Sequence, residues 1–373
     1  MKLFQFIIVL TLLIGLARDF VVHSNPNDLY KIVYTLFVVE ITVDLILRLL
    51  NTRAFNWNYN NSPLYSPTAL IVFLIFGVLV MLVMHLIAQI LQLNVNTFVI
   101  STIPLWALGK YLNQAIILKE LFLISSILEL LRAIGLVIAV AQMSFVLICF
   151  VVILYALISA IIYIFWLNVN DVGYNDTIAN LKSIISVDFR IVLQGSMITI
   201  IYVVDKSILN LNSSDALFLI LVLKLNFIAT SLLNRAYLHP FHVEYTNKDL
   251  NNSSLKSVRY YSMLFAGFCG LGVWILFKHL ISFVPLELTL NSPTILVASI
   301  FTSLFVFREY SIRKLIIKHE TSKLGNLGIC YALSLALSLT FIPNINLEFY
   351  LIINILLLIG YLHFAEESLK NDN

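Results

Sequence analysis

The sequence predicts an all-α polytopic membrane protein, with about twelve transmembrane helices in two pseudo-symmetric six-helix bundles and both termini in the cytoplasm. Three observations carry that prediction. First, 60% of the 373 residues are hydrophobic and only 12% are charged, about half the charged share of a soluble domain. Second, the apolar residues form continuous runs long enough to cross about 30 Å of hydrocarbon, not the alternating pattern of a β-barrel. Third, lysine and arginine gather on alternate sides of those runs, as the positive-inside rule requires. A soluble enzyme, a nucleic-acid reader and a disordered chain are excluded by composition. The net charge of +3 carries no message about acidic partners.

The runs justify the elements in order. Span 1, residues 3–22, ends at Arg18-Asp19. Span 2, residues 31–50, opens after Asn25-Pro26-Asn27-Asp28 and carries Glu40, Asp44 and Arg48. Span 3, residues 69–93, contains His85. Spans 4 and 5, residues 97–118 and 121–141, are interrupted by Lys110, Lys119, Glu120, Glu129 and Arg132. Span 6 is 143–167, and a polar stretch follows. In the second half, span 7 is 187–205 and ends at Asp205-Lys206. Span 8, residues 216–234, opens after Asn212-Ser213-Ser214-Asp215 and carries Lys224. Spans 9 to 12 are 260–284, 292–310, 324–342 and 347–364. Pro104, Pro285 and Pro343 lie within or at span ends, where kinks or stops are expected. The organisation is a six-helix bundle over 1–167, a cytoplasmic linker over 168–186 and a second bundle over 187–373.

With this numbering the termini and even loops hold 17 Lys/Arg and the opposite side holds four, which places both ends in the cytoplasm. Met1–Ala17 also has the outline of a signal peptide, with Gly15-Leu16-Ala17 as a small-residue cleavage site; the internal repeat favours its retention. That repeat pairs Arg18-Asp19 and the opening of span 2 with Asp205-Lys206 and the opening of span 8. Asn and Asp at these openings are natural N-caps. It closes with Leu49-Leu50-Asn51-Thr52-Arg53-Ala54-Phe55 against Leu232-Leu233-Asn234-Arg235-Ala236-Tyr237. Six-span repeats entering from the same side are related by an axis along the membrane normal, an arrangement used by transporters.

Charged side chains at mid-bilayer cost about 2.5–3.5 kcal/mol on insertion scales and normally face a cavity or a partner. Glu40, Asp44 and Arg48 recur every four residues and share one helical face. Asp44 can pair with Arg48. Glu40 has no partner in its own helix and is expected to face the interior, so Glu40 and Asp44 are candidate ion-coupling residues. Arg18 and Asp19, with their counterparts Asp205 and Lys206, either snorkel to the outer interface or face an outward cavity. Lys224, nine residues into span 8, is too deep to snorkel easily and is the best single candidate for an anion contact. Glu129 and Arg132, three residues apart, fit an intrahelical salt bridge. Arg190 and Gln194 begin span 7 as interfacial anchors or ligands. His85 reads as a hydrogen-bonded interior histidine.

No metal site is expected. Cys149, Cys269 and Cys330 are far apart in apolar runs, and His239-Pro240-Phe241-His242-Val243-Glu244 lies in a charged cytoplasmic loop. The basic run Arg308 to Lys323 reads as a topogenic cytoplasmic loop that touches anionic headgroups.

Gly15-Leu16-Ala17-Arg18-Asp19, a turn, and Asp28 opening the next helix resemble the first-helix signature of lipid II flippases. The stretch Ile200 to Tyr245, with Asp205-Lys206 and Pro240, resembles the wider superfamily of multidrug, oligosaccharidyl-lipid and polysaccharide exporters. Lipid II flippases have fourteen spans and further arginines in their early helices, so twelve spans look more like flippases of polysaccharide repeat units such as O-antigen precursors. The resemblance implies translocation of an undecaprenyl-diphosphate-linked oligosaccharide across a bacterial inner membrane, without a cofactor. Its implied partners are the lipid-linked oligosaccharide, membrane lipids, a coupling H⁺ or Na⁺ and a glycan polymerase, and no nucleic acid. Residue by residue it points to Arg18, Asp19, Asp205 and Lys206. A cation-coupled drug antiporter of the same superfamily is the closer rival. A membrane glycan polymerase is the more distant one, since the outer loops leave little room for an external active site. A channel is disfavoured by the absence of an Arg repeat or a Gly-rich filter-like loop.

Overall fold

The computed structural model describes residues 26–51, 67–90, 92–118, 121–166, 211–233, 237–238, 252–280, 291–317, 320–341 and 345–368, together with isolated helical residues between 7 and 18. Most of span 1, all of span 7 and the linker 168–186 lie outside them. So do Asp19, Arg190, Gln194, Asp205, Lys206 and the His239–Glu244 segment. The chain divides into two compact units, Met1–Val192 and Leu193–Asn373.

The described residues are helical, joined by short turns. In the first unit α1 is Pro26–Asn51, α2 Pro67–Ile90, α3 Ile103–Leu118, α4 Phe122–Ala141 and α5 Phe145–Trp166. In the second unit α6 is Ser213–Leu233 and α7 Asn252–Ile275, which continues as a π-helical turn Leu276–Leu280. There α8 is Ser292–Ile317, α9 Thr321–Phe341 and α10 Leu347–Ser368. These helices occupy ten of the twelve expected spans. Six are long and apolar enough to cross a membrane: α2, α4, α5, α7, α8 and α10. The protein is a multi-pass helical membrane protein.

Local chemistry sets the helix starts. Pro26 and Pro67 open α1 and α2, where a missing N–H costs nothing and the proline φ is already helical. Asn96 caps the single turn Thr97–Ile100 through its side-chain oxygen, accepting from the amides of Phe98 and Val99. The Asn212 side chain accepts from the Asp215 amide at 2.7 Å to start α6, and Asn346 does the same for Phe349 at 2.8 Å in α10. Between α4 and α5 the chain reverses over Gln142–Ser144, with Met143 at φ 51°. So short a link makes α4 and α5 antiparallel neighbours.

Each unit is built inside out relative to a soluble domain. In the first, α3 packs against α5, α2, α1 and α4. Ile71, Ile75, Leu79, Leu82 and Leu86 form an exposed stripe on α2, and Val146, Phe150, Leu154, Leu157, Ile161 and Ile164 form one on α5. Steps of three and four residues put each stripe on one face, and such faces belong against lipid chains. By contrast, every residue of α1 from Ile32 to Val39 is buried. In the second unit α8 packs against α7, α10, α6 and α9. Its spanning segment is 61% buried, against 22–39% for the other five, so α8 is an inner helix. Like α1, α6 is buried without interruption, from Ala216 to Lys224.

Glycine lets the helix pairs close up. A Cβ at Gly109 of α3 would stand 2.7 Å from the Tyr155 ring on α5, and one at Gly270 of α7 would stand 2.6 Å from the Ser299 carbonyl oxygen on α8. With no water to expel inside the bilayer, helices in lipid associate through such backbone approach and interhelical hydrogen bonds.

Candidate functional site: a buried ion-pair network

Polar residues concentrate on the helices behind the lipid-facing stripes. In the first unit they form three linked pairs. Arg18 donates to Glu40 of α1 through two nitrogens, at 2.9 and 3.3 Å. Its side chain is 5% exposed, so it is held inside the unit by a bidentate contact. One helical turn on, Asp44 accepts from Lys110 of α3 at 3.0 Å. On α4, Arg132 donates to Glu129 at 2.7 and 3.1 Å, the expected intrahelical bridge.

Glu129 is the most heavily bonded carboxylate. Beyond Arg132 it accepts from the Asn113 amide at 3.1 Å and from the Tyr155 hydroxyl, so α3, α4 and α5 all converge on it. The Arg132 guanidinium lies 5.4 Å from the Trp106 ring centroid and 5.5 Å from that of Tyr155, within cation–π range. The pairs also feel one another: the Lys110 charge acts on Glu129 and the Glu40 charge acts on Arg132. Three cations, Arg18, Lys110 and Arg132, meet three carboxylates, Glu40, Asp44 and Glu129. Among the described residues the three pairs balance in charge, and each buried charge has a partner, without which it would be costly in a low dielectric.

The second unit is organised differently. Lys224 on α6 is 5% exposed and Arg308 on α8 is 1% exposed. Arg308 donates to Glu309 at 3.2 Å and lies over the Phe305 ring at 4.3 Å from its centroid. Hydrogen bonds outside ion pairs also join its helices. Tyr331 of α9 donates to the Asn354 side chain of α10 at 2.7 Å, and Asn354 donates to the Tyr350 carbonyl at 2.8 Å. Thr294 of α8 donates to Glu348 of α10 at 2.6 Å. Asn226 of α6 is fully buried, and neither its amide nitrogen nor its oxygen has a hydrogen-bond partner among the described residues.

Several sequence expectations shift position here. Asp44 is paired with Lys110 from another helix; the Arg48 side chain lies outside the described residues. Arg18 neither snorkels outward nor stands alone, because Glu40 takes it into the interior. Glu40 faces inward, as its sequence position required. Lys110, which interrupts span 4 in the sequence, stands midway along α3. Arg308 had been counted with the basic loop, yet α8 runs on to Ile317. There the signal was helical spacing that continues past the arginine, through Phe301, Phe305, Ile312 and Leu315. Arg18, Glu40, Asp44 and Lys224 lie in the interior of their units. His85 Nδ1 donates to the Met81 carbonyl oxygen, 3.0 Å away on its own helix, as a half-buried, hydrogen-bonded histidine. No group of metal-ligating side chains occurs among the described residues.

Such networks give a helical membrane protein two capacities. They satisfy buried charges, and they tie helices together across hydrocarbon. Comparison with known families, curated proteins and solved structures yields no match to this chain.

Proposed function

We propose that the protein is a flippase that moves an undecaprenyl-diphosphate-linked oligosaccharide across the bacterial inner membrane by alternating access, for synthesis of a cell-surface polysaccharide. One observation carries this reading: five basic side chains, Arg18, Lys110, Arg132, Lys224 and Arg308, sit on the inward side of their units. Retaining so many cations within hydrocarbon is costly, and a diphosphate is the cargo chemistry that uses them. The polyprenyl tail stays in lipid while the headgroup passes between polar walls. Twelve spans with both termini in the cytoplasm complete the reading.

The direct test reconstitutes the protein in vesicles and follows a fluorescent undecaprenyl-diphosphate-linked oligosaccharide from leaflet to leaflet. Lys224→Met and Arg308→Met lose flipping at normal expression, and Lys224→Arg keeps part of it. Unchanged flipping in both methionine variants removes the cationic wall from the mechanism. The second reading, a cation-coupled antiporter, is favoured by the inward carboxylates Glu40 and Asp44. It predicts drug-cation export that fails in Glu40→Gln while lipid flipping is absent from the wild type. Reporter fusions after Asp19, Asp205 and Leu288 read external, and fusions after Asn251 and Lys318 read cytoplasmic.

A further inference from the structure

The far end of α7 departs from a regular helix where the chain leaves hydrocarbon. A lipid-facing stripe runs along α7 through Leu264, Phe268, Leu271 and Ile275, all exposed. Steps of three and four residues keep the stripe on one face. Gly267 and Gly272 are exposed beside it, and a Cβ at either would meet nothing within 4 Å. Unlike Gly270, neither admits a neighbouring helix among the described residues. Each leaves a shallow notch in a lipid-facing surface.

Beyond the stripe the helix widens into the π-turn Leu276–Leu280. Phe277 turns inward and is buried, its ring centroid 4.6 Å from that of Phe218 on α6. Lys278 and His279 are exposed. Lys278 Nζ lies 4.5 Å from the Trp274 ring centroid. The His279 ring meets the same indole at 5.4 Å between centroids, inclined by 76°. Positions five apart on a regular α-helix point about 140° away from each other, so the Trp274–His279 contact belongs to the widened turn. Such π-turns recur at functional sites. Here the turn gathers an ammonium, an imidazole and an indole on one side of α7.

Distance along the axis sets the depth of this group. Lys256 is exposed at the other end of the same helix. It lies about 33 Å from Lys278 at 1.5 Å per residue, close to the roughly 30 Å thickness of hydrocarbon. Lys256 with Tyr260, and Lys278 with Trp274, therefore stand at opposite headgroup layers, each ring just inside its lysine as in an interfacial belt. The two ends differ in how charge is answered. Beside Lys256, Arg259 pairs with Glu366 at 2.7 Å. Lys278 has the indole face, and no carboxylate pairs with it among the described residues.

We propose that the π-turn of α7 is a binding site for an anionic phospholipid. Lys278 and His279 donate to the phosphate oxygens. Trp274 keeps its cation–π contact with the ammonium, whose N–H groups point outward to the headgroup. One acyl chain lies along Ile275, Leu271 and Phe268, over the glycine notches. A zwitterionic headgroup brings a second cation beside Lys278 and is disfavoured by like-charge repulsion. The occupant is a lipid and not a soluble phosphate, because the apolar stripe runs directly into the charged group. The site does not depend on the cargo reading.

The test titrates the purified full-length protein in detergent with dioleoyl phosphatidylglycerol, and separately with dioleoyl phosphatidylcholine, and counts bound lipids by native mass spectrometry. The wild type takes its first phosphatidylglycerol about fivefold more tightly than phosphatidylcholine, since one lysine at an anionic headgroup contributes about 1 kcal/mol. Lys278→Gln abolishes that preference and Lys278→Arg keeps it. Trp274→Leu weakens it. Lys31→Gln on α1 makes the same change in net charge and leaves the preference intact. Millimolar sn-glycerol 3-phosphate does not displace the lipid. Equal affinity of the wild type for the two lipids overturns the site. So does a preference unchanged in both Lys278→Gln and the double variant Lys278→Gln/His279→Gln. An equal loss in Lys31→Gln reduces the preference to net charge and overturns the site as well, and displacement by glycerol phosphate overturns the lipid as occupant.

Discussion

Among the described residues, the first unit gathers three ion pairs into one network, whereas in the second unit hydrogen bonds such as Tyr331–Asn354 and Thr294–Glu348 stand beside separate ion pairs such as Arg259–Glu366. In the first, Arg18–Glu40, Lys110–Asp44 and Arg132–Glu129 balance one another, and Asn113, Tyr155 and Trp106 serve the last pair. In the second, Tyr331–Asn354 and Thr294–Glu348 join the helices, Gly270 lets α7 meet α8, and Asn226 is buried without a described partner. Both solutions hold helices together in lipid. They differ in what disturbs them. An ion-pair network has large individual terms and responds to protons. A hydrogen bond between uncharged side chains, such as Tyr331–Asn354, has a small term and barely senses pH.

Mutation can break this contrast. The largest effect is expected at Glu129→Leu, which leaves Arg132 buried without its carboxylate and removes the acceptor of Asn113 and Tyr155. Breaking one side of a buried pair costs about 3–5 kcal/mol, read as a drop in unfolding midpoint in mild detergent. The double variant Glu129→Leu/Arg132→Leu recovers most of that loss. If both are equally unstable, the charges are not what holds the first unit. Next comes Gly270→Val in the second unit, where the new side chain meets the Ser299 carbonyl and the Ser303 hydroxyl. Overpacking of this kind costs about 1–3 kcal/mol, and crosslinking yields between cysteines placed on α7 and α8 should fall.

Smaller effects sharpen the comparison. Tyr331→Phe deletes one neutral hydrogen bond and is expected to cost about 1 kcal/mol, with unfolding that does not depend on pH. At Asn226, replacement by Leu exchanges an amide that lacks a described partner for an apolar side chain of similar size. Stability should be unchanged or raised by up to about 1 kcal/mol. A clear loss would show that the amide is bonded within the folded protein, and would move Asn226 into the polar path.

How much was legible beforehand follows from the kind of signal each feature leaves. Hydropathy placed a span over each of the ten described helices α1 to α10, because the length of a span is set by hydrocarbon thickness and rise per residue, while α1 and α7 begin before, and α8 ends beyond, the expected bounds. The α4 bridge from Glu129 to Arg132 was readable because a spacing of three fixes two side chains on one face. Glu40 was readable as inward-facing because no residue of its own helix could answer its charge. Loop and helix were confused at Arg308, since a basic residue near a span end has the same composition whether the helix stops there or continues.

The sequence alone determined the solvent in which this protein folds, its helical class and the presence of charges that hydrocarbon must conceal. Those follow from composition and local period. Which charge meets which was decided only by tertiary structure. Arg18 and Glu40 are separated by 22 residues, Asp44 and Lys110 by 66, and Tyr155 and Glu129 by 26. The partners stand on different helices, so helix rotation and close packing at points such as Gly109 bring them together, and neither is encoded in the spacing along one segment.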